Sequence, residues 1–217
     1  MTEATSATSV TYESVNEYES AGIPFSKNLC KAIDLNTGEE KRYGEEGEVC
    51  ISGPTVMQGY YENLAATDEL IKVHEDGRRW IHTGDLGYIN EDGVIFITGR
   101  IKRILMTKGK DGQITKVFPD RIEKAIGKSP LVELCCVVGV PDPDRINYPK
   151  AFVVLKKGVE KSAEAEKDIL DICRQALPGY MIPDEIAFRD DLPRTDRGKV
   201  DFRALEKEAA EYGQSTV

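Results

Sequence analysis

The sequence predicts an α+β protein with two unlike halves: a small β-rich subdomain, then a compact α+β layer domain. Three observations carry that prediction. Residues 23–100 show short apolar stretches between turn residues, and Asp92-Gly93 is a strong hairpin signal. LCCVVGV (134–140) is a continuous apolar run, as in a strand covered on both faces. Amphipathic, capped helical stretches alternate with strands only after Arg100.

In chain order, residues 1–21 show little periodicity. GEVCISG (47–53) reads as a strand, and residues 60–70 read as a short helix. RRWIHTGD (78–85) reads as a strand running into a turn, and GYINEDGVIFITGR (87–100) as a hairpin. The style changes near 100–103. Residues 119–126 read as a helix, with Pro119 in its first turn and Gly127 at its end. KAFVVLKK (150–157) reads as a second strand. Ser162 caps a helix whose face carries Ile169, Ile172, Cys173 and Leu177, with Glu164 and Glu166 near the positive end of its dipole. Pro178-Gly179 stops it, a short strand follows at 185–188, and Asp201 caps a last helix carrying Phe202, Leu205 and Ala209. The expected division is 1–21, 22–101 and 102–217, with residues 1–21 expected to be disordered.

Composition excludes several classes. The chain has 217 residues, 40% apolar and 31% charged, which are globular values. Its net charge is 29 − 38 = −9, so nucleic acid is a poor principal partner. Five cysteines without Cys-x-x-Cys spacing fit a reducing compartment, and with two histidines no zinc site is expected. No stretch approaches the roughly 20 apolar residues of a membrane span. The first ten residues lack signal-peptide features, so the expected location is cytoplasmic.

Three short segments could carry chemistry. WIHTGDLGYINEDG (80–93) sets Asp85 in a glycine-flanked turn. A turn aspartate usually bonds its own backbone, yet such a carboxylate can also accept both hydroxyls of a ribose. GRIKR (99–103) joins the halves. Three cations in five residues are usually a solvated face; the functional reading has Arg100 touching a nucleotide and Lys102 at a pivot. DLPRTDRGKVD (191–201) lifts Lys199 on a glycine-containing turn. Most surface lysines are inert, but one so placed can stabilise charge on a phosphoryl oxygen.

Each segment is weak alone. Their order and spacing resemble the adenylate-forming superfamily of acyl-CoA synthetases, peptide-synthetase adenylation domains and beetle luciferases. GEVCISGPTVMQGYYENLAATDE is similar to that family's GE-[LV]-x-I-x-G … GYY-x-N/P … T motif, followed by HTGDLG, GR-x-K/D and PRT-x-x-GKVD. Met1-Thr2-Glu3-Ala4 resembles the end of the family's Y-G-x-T-E motif. The resemblance covers nearly the whole chain. It implies a distorted-barrel β subdomain, a carboxyl-terminal lid domain, and the carboxyl-terminal portion of a larger enzyme. The phosphate loop TSGSTGxPK does not occur in the sequence.

The resemblance also implies chemistry. ATP activates a carboxylic acid as an acyl-adenylate, and a thiol then takes the acyl group. Lys199 would be catalytic. Thr2 would lie beside the α-phosphate, Glu3 would bind Mg2+, Asp85 would hold the ribose, and Arg100 would approach ribose and phosphate. Lys102 would be the hinge about which the lid turns. The thiol would come from coenzyme A or from a carrier protein's phosphopantetheine. The segment ILMTKGKDGQITKVFP (104–119) departs from the family by several extra residues; Lys108, Gly109, Lys110, Asp111 and Gly112 would form its turn tip on the thiol side. The polar end EYGQSTV, with no carrier domain after it, favours a stand-alone ligase. The competing reading is a non-catalytic fragment that complements a separate amino-terminal half and self-associates through exposed edges.

Overall fold

The computed structural model describes residues 1–5, 7–15, 17–109 and 111–214. The chain divides into two compact units, Met1–Lys102 and Arg103–Val217. The boundary therefore falls inside GRIKR.

The first unit is built on a curled antiparallel sheet. Its strands in chain order are β1 (Ser9–Val10), β2 (Ile23–Pro24), β3 (Leu29–Ile33), β4 (Gly47–Ser52), β5 (Ile71–Val73), β6 (Arg79–Ile89) and β7 (Ile95–Arg100). β3, β4, β6 and β5 lie side by side, β7 also pairs with β6, and β1 pairs with β2 apart from them. One helix, α1 (Leu64–Leu70), precedes β5. It is shorter than expected because Asn63 caps it, accepting the Ala66 N–H at 3.0 Å. The first residues form a single 3₁₀ turn, Thr2–Ala4. Ala4 is fully buried against Ile71 and Ile81.

The hairpin between β6 and β7 forms as expected. Asn90 Oδ1 accepts the N–H groups of Asp92 and Val94, and Gly93 takes a positive φ of 78°. The expected turn at Gly84-Asp85 does not form. β6 runs straight through it as one strand. The reason is a wide bulge: between the pairs Cys50↔His82 and Glu48↔Leu86, β6 inserts Thr83, Gly84 and Asp85 against Val49 alone. Gly84, at φ 69°, supplies the left-handed residue this needs. The turn chemistry was real, but neighbouring strands absorbed it.

The second unit holds β8 (Leu105–Lys108), β9 (Ile114–Val117), α2 (Pro119–Ile126), β10 (Val132–Asp142), β11 (Ile146–Leu155), α3 (Ala163–Ala176), β12 (Glu185–Arg189) and α4 (Phe202–Gln214). β10 and β11 are antiparallel, β12 joins β11 in parallel, and β8 and β9 form a separate hairpin. The apolar run on β10 feeds two cores, as a doubly covered strand must. Cys136, Val138 and Val140 pack with Phe152, Leu205 and Ala209. Val137 packs on the other face with Ile122, Ile126 and Ile169. The caps read from sequence are made: Ser162 Oγ accepts from Ala165 N at 3.2 Å, and Asp201 Oδ1 accepts from Arg203 and Ala204 N–H.

Arg103 and Glu123 finish the open edge of β10. Glu123 Oε1 accepts the Val137 N–H at 2.7 Å, and the Arg103 guanidinium donates to the Val137 carbonyl at 3.0 Å. The two side chains also pair with each other at 2.5 Å. An edge strand is thus satisfied by side chains rather than by another strand.

Candidate active site

Asp85 sits at the end of the β6 bulge. The bulge frees main-chain groups that side chains then hold. Thr83 Oγ1 donates to the Val49 carbonyl at 2.6 Å and accepts the Asp85 N–H at 3.1 Å. Glu48 Oε1 accepts the Gly84 N–H at 3.0 Å. Asp85 lies directly across from Arg100 on β7, and Arg100 Nε meets Asp85 Oδ1 at 2.7 Å. The carboxylate is 22% exposed and the guanidinium side chain 57% exposed. Both therefore reach solvent from a stiff base, as a binding group should.

Glu48 has a second task. Its Oε2 lies 2.8 Å from His82 Nδ1. Burial works to raise the Glu48 pKa, but the bonds from His82 and Gly84 outweigh it, and the carboxyl is held below its usual range. His82 Nε2 in turn lies 3.1 Å from His74 Nε2. Burial, with Lys31 and His82 nearby, holds the His74 pKa below its usual value.

Thr2 is exposed and Glu3 half-buried in the opening 3₁₀ turn. The loop after β4 fixes that turn: the Glu3 carbonyl accepts the Met57 N–H at 2.9 Å, and Tyr60 Oη donates to Glu3 Oε1 at 3.0 Å. Burial and the Glu3 carboxylate push the Tyr60 phenol above its ordinary value, which keeps it a donor.

Lys199 is exposed in the second unit, just before α4. Its turn is well tied: Gly198 N–H donates to the Thr195 carbonyl at 2.8 Å, and Thr195 N–H to the Lys199 carbonyl at 2.7 Å. Arg194 also donates to the Gly198 carbonyl at 3.1 Å. Lys102 is exposed within the 3₁₀ turn Ile101–Arg103, the last residue of its unit. The β8–β9 hairpin carries Lys108, Gly109 and Gly112, with Gly112 at φ 80° and its N–H donating to the Gly109 carbonyl. Lys110 lies outside the described residues. The tip lines a cleft of about 940 Å³ with Asp144, Arg145 and Tyr180. Of the residues singled out from sequence, the structure brings Asp85 and Arg100 into contact and holds Glu3 on a separate loop.

Residues 1–61 match the AMP-binding enzyme family, and residues 121–199 match the AMP-binding enzyme C-terminal domain. The chain belongs to the adenylate-forming, AMP-binding superfamily. It is 40% identical over 190 residues to a putative acyl-CoA ligase, YdaB, of Bacillus subtilis strain 168, covering 88% of this chain and 35% of that protein. It is 35% identical over 202 residues to a long-chain-fatty-acid–CoA ligase of Escherichia coli O6:H1, covering 90% and 33%. The crystal structure of the anthranilate CoA ligase AuaEII with anthranoyl-AMP is similar at a TM-score of 0.83 and 27% identity, over 99% of this chain and 39% of that one. The chain thus spans about a third of the length of the curated relatives it matches. Its homologues are acyl-CoA ligases and other adenylating enzymes.

Sequence reasoning passed over Tyr60, Glu48, Thr83 and His74. For two of them the signal was at hand. Glu48 and Thr83 stand inside the quoted GEV and HTGD motifs, and a strand bulge needs such side chains to satisfy its main chain. Tyr60 likewise stands inside the quoted GYY motif, but its partner Glu3 is 57 residues away; nothing local marks His74.

Proposed function

We propose that this chain supplies the ribose-holding carboxylate and the catalytic lysine of an ATP-dependent acid–thiol ligase. The enzyme adenylates a carboxylic acid and passes the acyl group to coenzyme A. The observation that carries the reading is Asp85, aimed by a braced bulge and ion-paired with Arg100 at 2.7 Å, in a chain similar to CoA ligases.

In the first step the substrate carboxylate attacks the α-phosphorus in line and pyrophosphate leaves. Asp85 accepts the ribose hydroxyls, and Arg100, paired with it, faces the phosphate side. Thr2 donates its hydroxyl to the α-phosphate. The Lys199 ammonium meets the charge spreading over the α-phosphoryl oxygens. Glu3 suits a hard cation: it is a half-buried carboxylate oriented by the Tyr60 hydroxyl on its Oε1. Mg2+ bound there would neutralise phosphate charge. In the second step a thiol attacks the acyl carbon and AMP leaves. The lid turns about Lys102 between the steps, withdrawing Lys199. Lys108, Gly109 and Gly112 of the β8–β9 hairpin then lie on the thiol side. Residues 1–21 belong in this reading to the large ATP-binding domain, 22–101 to its β subdomain and 102–217 to the lid.

Calorimetric titration with a non-hydrolysable acyl-adenylate mimic, an acyl-sulfamoyl adenosine, tests this. The chain should bind it, and Asp85→Ala should weaken binding at least roughly tenfold, the loss of one charged hydrogen-bond acceptor. Equal affinity of wild type and Asp85→Ala would sink the assignment.

A further inference from the structure

The chain has two histidines, eight residues apart, and the fold brings their Nε2 atoms to 3.1 Å. They come from different places. His74 follows β5, at the start of the turn closed by the Gly77 N–H on the His74 carbonyl, and His82 lies within β6. We propose that His74 Nε2 and His82 Nε2 together bind one borderline divalent transition-metal ion of the zinc class, at a site apart from the nucleotide residues.

Four observations point there. The first is distance. Two imidazole nitrogens at about 2.0–2.1 Å from a tetrahedral zinc ion stand about 3.3 Å apart. The observed 3.1 Å needs only a small outward shift. The second is orientation of His82. Its Nδ1 faces Glu48 Oε2 at 2.8 Å. That carboxylate accepts a hydrogen bond from Nδ1–H, which keeps the proton on Nδ1 and leaves the Nε2 lone pair facing His74, the carboxylate–histidine arrangement that metal sites use. The third is orientation of His74. Its ring stacks on Trp80 at 5.6 Å and 23°, while the two imidazoles meet edge to face at 63°. Both rings are thus held by other groups. The fourth is access and charge. His74 and His82 line a cleft of about 680 Å³, with room for water to complete the coordination. Its walls bear four carboxylates, of Glu39, Glu40, Glu75 and Asp76, against the ammonium groups of Lys31 and Lys72.

Without metal, one nitrogen must donate a hydrogen bond to the other at this distance. His82 Nδ1 already carries that ring's proton, so His74 Nε2 is the donor; on binding zinc His74 gives up its Nε2 proton while its Nδ1 takes one from solvent, and both rings coordinate as neutral imidazoles. Cys50 Sγ lies within 4.8 Å of the Glu48 and His82 donor atoms. It is fully buried and does not line the cleft, so it is not assigned as a ligand. The bound ion would tie the His74 turn to β6, three residues ahead of Asp85. Magnesium, which prefers oxygen donors, should not compete.

Equilibrium dialysis of the untagged chain against ZnCl2, with the metal then quantified, reads the site. The expected result is one zinc per chain, undisplaced by millimolar MgCl2. His74→Ala should weaken binding at least roughly tenfold, and Glu48→Gln by roughly 10–100-fold. Should a variant fail to fold, the wild-type chain decides through its imidazole nitrogen resonances. Zinc should shift both Nε2 signals, spare the His82 Nδ1 signal and move the His74 Nδ1 signal to that of a protonated nitrogen. Cobalt substitution should give a nitrogen–oxygen spectrum without a thiolate charge-transfer band. No zinc bound, unchanged binding in a folded His74→Ala, unmoved Nε2 signals or a thiolate band would each overturn the proposal.

Discussion

Arg100 shows 57% of its side chain to solvent beside Asp85, whereas Arg103, three residues on, shows 13% and is held by Asp120, Glu123 and the Val137 carbonyl. Both are arginines of one basic segment paired with carboxylates. Arg103 sits where a sheet edge must be satisfied, and its charge is engaged on several sides. Arg100 sits on a strand end where the carboxylate it meets still faces water. A buried multi-partner pair belongs to the fold, while an exposed pair on a rigid base is available to a ligand. Charge pattern alone cannot separate the two.

The sharpest way to break this contrast is to remove each arginine. Arg103→Ala leaves Glu123 in a confined site without its cation and the Val137 carbonyl without its donor. We expect a loss of about 3 kcal/mol in urea unfolding. Arg100→Ala should cost under about 1 kcal/mol, as exposed pairs do, while weakening adenylate-mimic binding. Equal losses from both substitutions would erase the distinction. The pKa of Arg103 is held above its usual value: burial opposes this, and the bonds to Glu123 and the charges of Glu123 and Asp120 prevail.

The bulge that aims Asp85 offers a second test, smaller in size. A Cβ on Gly87 would stand 2.2 Å from the Phe96 carbonyl oxygen, a main-chain atom that cannot step aside. A Cβ on Gly84 would meet open space, and only the positive φ opposes it. Gly87→Ala should therefore cost about 2 kcal/mol or more by overpacking, and Gly84→Ala about 1 kcal/mol by backbone strain. Thermal melts of the two variants give the order; the reverse order would mean that the bulge, not the strand crossing, limits this region.

What sequence made legible follows from the range of the physics. The α+β class, the strands read at 47–53 and 134–140, which form as 47–52 and 132–142, and the caps Ser162 and Asp201 were readable because periodicity and capping are local. Asp85, Arg100 and Lys199 were singled out from motif order. The continuous course of β6 was not readable, because Gly84 looks like a turn unless Val49 and Glu48 are known to lie alongside. The nearness of His74 and His82 was hidden for the same reason: it depends on β5 pairing with β6, in the register Ile71↔Ile81.

Acid should begin to loosen the first unit as pH falls below the ordinary histidine value near 6.5. Burial, with the charges of Lys31, His82 and Lys72 against that of Asp76, depresses the His74 pKa. The folded chain then binds fewer protons at His74 than the unfolded chain does. Stability from this group is complete above the unfolded value near 6.5 and is lost as pH falls through the folded one. Glu48, also depressed, adds a further loss below about pH 4.5. In chelator-treated buffer, urea midpoints should fall from pH 7 to 5, and His74→Gln should flatten that slope. An unchanged slope would place the titrating group elsewhere.

The smallest effect on the fold is expected at Lys199, and it bears most directly on function. The residue is exposed, and its turn is held by main-chain bonds and by Arg194, not by its own ammonium. Lys199→Ala should therefore shift stability by no more than about 0.5 kcal/mol. A charge-assisted bond to a phosphoryl or sulfamoyl oxygen is worth about 1.5 kcal/mol or more, so affinity for the adenylate mimic should fall roughly tenfold. Lys199→Arg keeps the charge but not the compact point geometry, and should recover only part of that loss. Lys199 would then fall on the Arg100 side of the contrast: an exposed cation, placed by a stiff main chain, within reach of a ligand. A Lys199→Ala chain that binds as wild type would return the residue to the ordinary solvated surface and leave Asp85 to carry the nucleotide reading alone.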